Sequence, residues 1–104
     1  MYTGWVLGNR SNNLGVCELN LGNTQTAIDF FEKAYNVEPD FPMAVVNYAL
    51  SKMLKGIPLE GLQIIDDLLE KYPDDEHAIS VKANILYDLK TISIYLLFLG
   101  IKIK

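Results

Sequence analysis

The chain has 104 residues, 50 % apolar and 21 % charged, which is material for one packed domain and not for two. Thirteen acidic residues against nine Lys and Arg give a formal net charge of −4, and the cations are scattered, which argues against a nucleic-acid platform. A single cysteine, Cys17, excludes an internal disulfide, and with His77 as the one histidine there are too few soft ligands for a zinc site. No cofactor or metal is expected. Residues 1–10 lack a basic region followed by an apolar one, so no secretory signal is read and a cytoplasmic or nuclear setting is the default.

The predicted elements are all helical. A first helix at about 9–21 ends at Gly22, which can take the left-handed conformation that closes a helix. Asn23 or Thr24 then caps a second helix at 24–37. There Ala27, Ile28, Phe30, Phe31, Ala34, Tyr35 and Val37 fall on one side, against Asp29, Glu32, Lys33 and Asn36. Pro39 closes it, Asp40 is positioned to cap the next helix, and Pro42 suits a first helical turn. A third helix is expected at 41–55, up to Gly56. The fourth, at 58–71, carries Leu59, Leu62, Ile64, Ile65, Leu68 and Leu69 against Glu60, Gln63, Asp66, Asp67 and Glu70, and Pro73 ends it. Asp74 or Asp75 caps a fifth at 75–89. Outside the last dozen residues, no useful stretch alternates with the period of a strand.

Shifted by 34 residues, the chain overlays itself. Asn13 falls on Asn47, Gly22 on Gly56, and Pro39-Asp40 on Pro73-Asp74. Four identities in 34 pairs would be weak alone, but the chemistry agrees elsewhere. Leu14-Gly15 meets Tyr48-Ala49, Ala27 meets Gly61, Phe31 meets Ile65 and Ala34 meets Leu68. Small residues mostly meet small ones and bulky apolar residues bulky ones, as expected for a repeat of two helices.

A helix–turn–helix repeat of this length resembles the tetratricopeptide repeat (TPR) family. Leu14-Gly15, Ala27, Phe31, Ala34 and Pro39 stand at that family's spacings, with Gly22 at its inter-helix turn. Ser11 and Glu18 depart from it, where a large residue and a tyrosine are favoured. The second unit, 42–75, fits more loosely through Ala49, Gly56, Ile65 and Pro73; a third begins at Glu76, fits through Ala83 and fails after Lys90. The resemblance implies TPR-like units at about 8–41, 42–75 and a partial 76–90, within an array over 1–90. They would stack as a short right-handed α-solenoid, about five helices plus an irregular apolar tail at 91–104. Leu14, Gly15, Ala27, Phe31, Ala34, Pro39, Ala49, Ile65, Leu68, Pro73 and Ala83 would form the packing between helices and repeats. Independently of any family, small residues let helices approach closely while the large ones fill the gaps.

The tail reads TISIYLLFLGIKIK and breaks the pattern, with Tyr95 where the repeat wants a small residue. Three readings stand open: a distorted sixth helix shielding the end of the array, a foreign ending of a truncated product, and a membrane anchor. The last is disfavoured, since residues 92–101 would span only about 15 Å as a helix, whereas a bilayer core needs about 20 apolar residues. Exposed, the segment would promote self-association. At the other end, Trp5, Val6 and Leu7 would be a cap of the first unit or the remnant of an upstream repeat.

Nothing catalytic is read. Cys17 has Glu18 beside it and no base or positive field to make a thiolate, so it is expected as a small buried packing residue. His77 follows Asp74, Asp75 and Glu76 and is expected on the surface at a helix start. Asp66, Asp67 and Glu70 read as a solvated helix face.

Binding is the expected function. In the resemblance, the first helices of successive units line a concave groove that receives a peptide or helix. Here these positions are Asn9, Asn12, Val16, Leu19 and Asn20, then Met43, Val46, Leu50 and Met53, then His77, Ser80, Asn84 and Tyr87. The apolar, methionine-containing middle suits an apolar or amphipathic helical segment of another protein. The TPR subclass that clamps a terminal carboxylate of chaperones with lysines, an arginine and asparagines is matched only by Asn47, so that specificity is not expected. The alternative is a structural assembly element that self-associates, or docks on a neighbouring array, through its open ends and tail. A membrane-tethered adaptor is a third reading.

Overall fold

A computed structural model describes residues 3–100 of the chain, with side chains from Asn9 onward. Five α-helices follow one another: α1 (Thr3–Asn20), α2 (Thr24–Val37), α3 (Pro42–Leu54), α4 (Pro58–Lys71) and α5 (Glu76–Phe98). No strand occurs among the described residues.

The turns explain the punctuation. At Gly22 and at Gly56 the backbone takes φ = +84°, a conformation that costs an L side chain energy and glycine little. The amides of Gly22 and Asn23 donate to the carbonyls of Leu19 and Glu18; those of Gly56 and Ile57 donate to Met53 and Lys52. Both sets satisfy carbonyls that the ending helix would leave bare. The following helices start differently from expectation. Asn23 precedes α2 but makes no side-chain cap; its amide donates instead to Glu18 Oε2 at 2.8 Å. Phe41, not Asp40, is the N-cap of α3, and Ile57 that of α4; in both, proline occupies the first turn, where a missing N–H costs nothing. Asp75 does cap α5, accepting from the Ala78 amide at 2.9 Å.

α1 packs on α2 and α3 on α4, while α2 also packs on α3 and α4 on α5. α3 touches α1 on one side and α5 on the other, so α1, α3 and α5 form a row. Among the described residues no Cα of α2 lies within 8 Å of a Cα of α4. The shape is accordingly elongated, 55 × 31 × 19 Å, with the short dimension near two helix diameters.

Close approach comes from small residues. Ala27, Ala34, Ala44, Ala49 and Ala78 are fully buried, and Phe31, Ile65 and Ile85 fill the spaces between them. Burying each of those three contributes roughly 1.5–3 kcal/mol. A Cβ added to Gly15 would overlap the Phe31 ring, 2.6 Å from Cδ1, and one added to Gly61 would lie 2.7 Å from the Ala49 carbonyl oxygen. The rings of Tyr35 and Tyr48 stack at 4.0 Å between α2 and α3, with Lys52 Nζ 5.0 Å from the Tyr48 ring centre. Lys55–Glu32 (2.9 Å) and Lys82–Asp66 (2.7 Å) are partly exposed ion pairs joining the two halves and α4 to α5. The Glu32 carboxylate raises the Lys55 ammonium above its ordinary pKa.

Two expectations about the ends need correction. α1 begins at Thr3 rather than at 9, and α5 runs through Lys90 to Phe98. Residues 91–98 are therefore neither an irregular tail nor a separate sixth helix; they are the last turns of α5. The reading of Trp5, Val6 and Leu7 as a cap rests on side chains outside the described set, as do residues 101–104 of the tail.

Candidate functional site: the face of α1, α3 and α5

The row α1–α3–α5 presents the surface on which the groove residues were expected. Val16 is 43 % exposed on α1, with Leu19 half-buried a turn later. On α3, Met43, Leu50 and Met53 are half-buried and reachable from solvent, with Leu50 and Met53 seated on the core. On α5, Asn84 is exposed and Tyr87 is 74 % exposed, as are His77 and Ser80. Asn9 is half-buried and Asn20 exposed. Seven of the nine central positions thus remain accessible.

Asn12 and Val46 do not. Each is only 1 % exposed, because each sits where neighbouring first helices meet. They support the face from beneath and cannot touch a ligand. Asn12 Oδ1 accepts from Asn47 Nδ2 at 3.0 Å, a buried bond from α1 to α3. Asn12 Nδ2 is buried and has no partner. An orphaned amide donor costs about 1–3 kcal/mol unless matched, so this pair sets the alignment of α1 and α3 at some expense to stability. Sequence reasoning matched Asn47 to a ligand-binding position and missed the pairing.

Among residues expected to pack helices together, Gly15, Ala27, Phe31, Ala34, Ala49, Ile65 and Leu68 are buried. Leu14, Pro39, Pro73 and Ala83 are exposed. The two prolines lie in turns, where their work is to end α2 and α4. Leu14 is exposed, and so is Cys17, which was expected to be buried; Ser51 and Ile85, 34 and 68 residues after Cys17, are fully buried. Ala83 is open because nothing packs on that side of α5.

No cluster of three or more His, Cys, Asp and Glu side chains suited to a metal ion occurs among the described residues. A cavity of about 450 Å³ lies between α2, α3 and α4, lined by Tyr35, Val45, Ile64, Asp67, Lys71 and Tyr72 among others. It does not include the face of Leu50 and Met53. No helix among the described residues is long and apolar enough to cross a membrane. Compared with family models, curated proteins and solved structures, the chain matches none.

Proposed function

We propose that the chain is a TPR-like repeat module, a short right-handed solenoid without catalysis, that binds a peptide or amphipathic helix of another protein across α1, α3 and α5. The supporting observation is the row itself. Because α3 touches both α1 and α5, half-buried Leu19, Met43, Leu50 and Met53 lie on adjoining helices, and we read them as an apolar strip with exposed Val16 and Tyr87 at its margins. Flexible methionines adapt to a range of apolar side chains, and a helix laid along the strip could anchor residues at steps of three and four. Equivalent jobs at equivalent positions support the repeat reading: Gly22 with Gly56 in the turns, Gly15 with Ala49 at the close contacts. On this reading the protein is a scaffold or adaptor, with a cytoplasmic or nuclear setting as the default.

The test uses peptides selected from a displayed random library on the immobilised full chain. Leu50→Glu puts a carboxylate in the middle of the strip and should weaken the selected peptides by about 2 kcal/mol or more, roughly thirtyfold, as loss of a central anchor does. Glu70→Gln, on the exposed side of α4, should leave affinity unchanged. Equal affinity for the parent and Leu50→Glu chains overturns the proposal.

A further inference from the structure

In each of the first two units, the side of the first helix that carries its small residue is covered by the unit's second helix. Phe31 of α2 lies against Gly15, and Gly61 of α4 lies against the Ala49 carbonyl. The same position on α5 is Ala83, and it is exposed. The cause is local. Gly22 and Gly56 turn the chain back, but Lys90 stands at that position in the third unit, and α5 continues to Phe98. The stretch that would have covered the face instead lengthens it.

The result is an apolar stripe formed by Ile79, Ala83, Leu86, Ile94, Leu97 and Phe98, with the exposed Lys90 at its middle. At 100° per residue these fall on one side of α5, opposite Ala78, Val81 and Ile85, which pack inward. From Ile79 to Leu97 the stripe runs about 27 Å. Its large members are 46–87 % exposed, and Tyr87 flanks it at 74 %. Together the stripe and Tyr87 leave roughly 800 Å² of surface open, more than the few hundred Å² usual for a monomer's apolar patch. One partner of a standard protein interface contributes about 800 Å².

We infer that this outer face of α5 pairs with the same face of α5 in a second copy of the chain, the two helices running antiparallel. The stripe complements itself in that orientation. The register that sets Ile79 against Phe98 of the second copy also sets Ala83 against Ile94 and Tyr87 against Lys90. A small residue then faces a large one, as Gly15 faces Phe31, and the stripe's one cation faces an aromatic ring. The stripe carries no acidic residue, so no buried carboxylate opposes the pairing. A parallel arrangement would instead set Lys90 against Lys90 and align the two helix dipoles unfavourably. Two-fold pairing also closes on itself, consuming the face in both copies. Each α5 thereby supplies the covering helix the other lacks. The pairing shares Tyr87 with the margin of the proposed ligand strip and leaves open the strip's centre on α3.

Sedimentation of the full chain, with and without Ile94→Asp, tests the pairing. The parent should shift to twice the monomer mass as concentration rises. Ile94→Asp, an exposed position, should abolish the shift while circular dichroism shows its helices retained. The register is tested separately in a Cys17→Ser background. The double variant Ala83→Cys/Ile94→Cys should oxidise to a covalent dimer. Neither single variant should, because two copies of position 83, or of 94, lie about 16 Å apart along the paired helices. Within one copy the same spacing forbids an internal bond, so the cross-link does not depend on how Ile94→Asp behaves. A parent that stays monomeric at every concentration overturns the inference, as does a dimer that survives Ile94→Asp. Open-ended oligomers, equal cross-linking of the single variants, or a monomer that instead co-sediments with phosphatidylcholine–phosphatidylserine vesicles overturn it equally. Leu50→Glu should leave the dimer intact, so failure here and failure of the ligand strip are told apart.

Discussion

Gly56 and Lys90 stand 34 residues apart and have opposite effects on the chain. At Gly56 the backbone takes φ = +84° and α3 ends; at Lys90 the helix continues to Phe98. The stop arrives at the next glycine. Gly100 has φ = +78°, and its amide donates to Leu97 as that of Gly56 donates to Met53. One residue type at one turn thus decides whether a helix pair closes or a long helix is left with an open side.

The turns should therefore be sensitive to backbone conformation alone. Nothing lies within 4 Å of a Cβ placed on Gly22 or Gly56, so alanine there meets no obstacle except its own φ. Gly56→Ala should cost about 1–2 kcal/mol in urea unfolding, and Gly22→Ala a similar amount. A cost near zero would mean the turns relax out of the left-handed region.

Gly15→Ala should be destabilising for a different reason, since its Cβ would overlap the Phe31 ring. Overpacking of this kind costs about 1–3 kcal/mol. In a Phe31→Leu background the added penalty should shrink, because the ring it strikes is gone. An unchanged penalty in the double variant would place the strain elsewhere.

The Asn12–Asn47 bond gives a third expectation. Asn47→Ala removes the partner of Asn12 Oδ1 and leaves a buried amide wholly unsatisfied, for a loss of about 1–3 kcal/mol. Replacing both residues by leucine should cost less than the two single changes added together. Additive losses would show that the two side chains do not interact.

Lys90→Gly restores the residue used at the two earlier turns. Residues 91–98 have few tertiary contacts to hold them helical, and glycine in a helix interior costs about 1 kcal/mol relative to alanine. Amides of residues 91–98 should exchange hydrogen faster in the variant, while those of α2 and α4 keep their protection. Unchanged exchange beyond Lys90 would show that something other than backbone propensity holds the extension.

Much of this architecture is legible in the residues. The bounds of α2 and α4 follow from Gly22, Pro39, Gly56, Pro58 and Pro73, because positive φ and a missing N–H leave little choice. α1 is longer than its pattern suggests, since nothing between Thr3 and Asn9 marks a start: its first turn holds no acidic residue. The extent of α5 escapes a reading that ends the helix at 89, where the 34-residue spacing calls for a turn, without asking whether Lys90 can make one. Burial on the candidate face is harder still. Asn12 and Val46 occupy positions that resemble groove positions, yet they are covered because neighbouring helices meet there. Periodicity gives the side of a helix but not how far the next helix covers it. The exposed Cys17 repeats the lesson, since Ser51 and Ile85, at the same 34-residue spacing, are fully buried.

The central claim is that α1, α3 and α5 together form one ligand-binding face. Amide chemical-shift mapping tests it most directly, by titrating the isotopically labelled full chain with a library-selected peptide. The account predicts shifts concentrated around Val16, Leu19, Met43, Leu50 and Met53, with Asn84 and Tyr87 at the edge and α2 and α4 largely silent. Shifts centred on the cavity between Tyr35 and Tyr72, or on the outer stripe of α5 from Ile79 to Phe98, would contradict it.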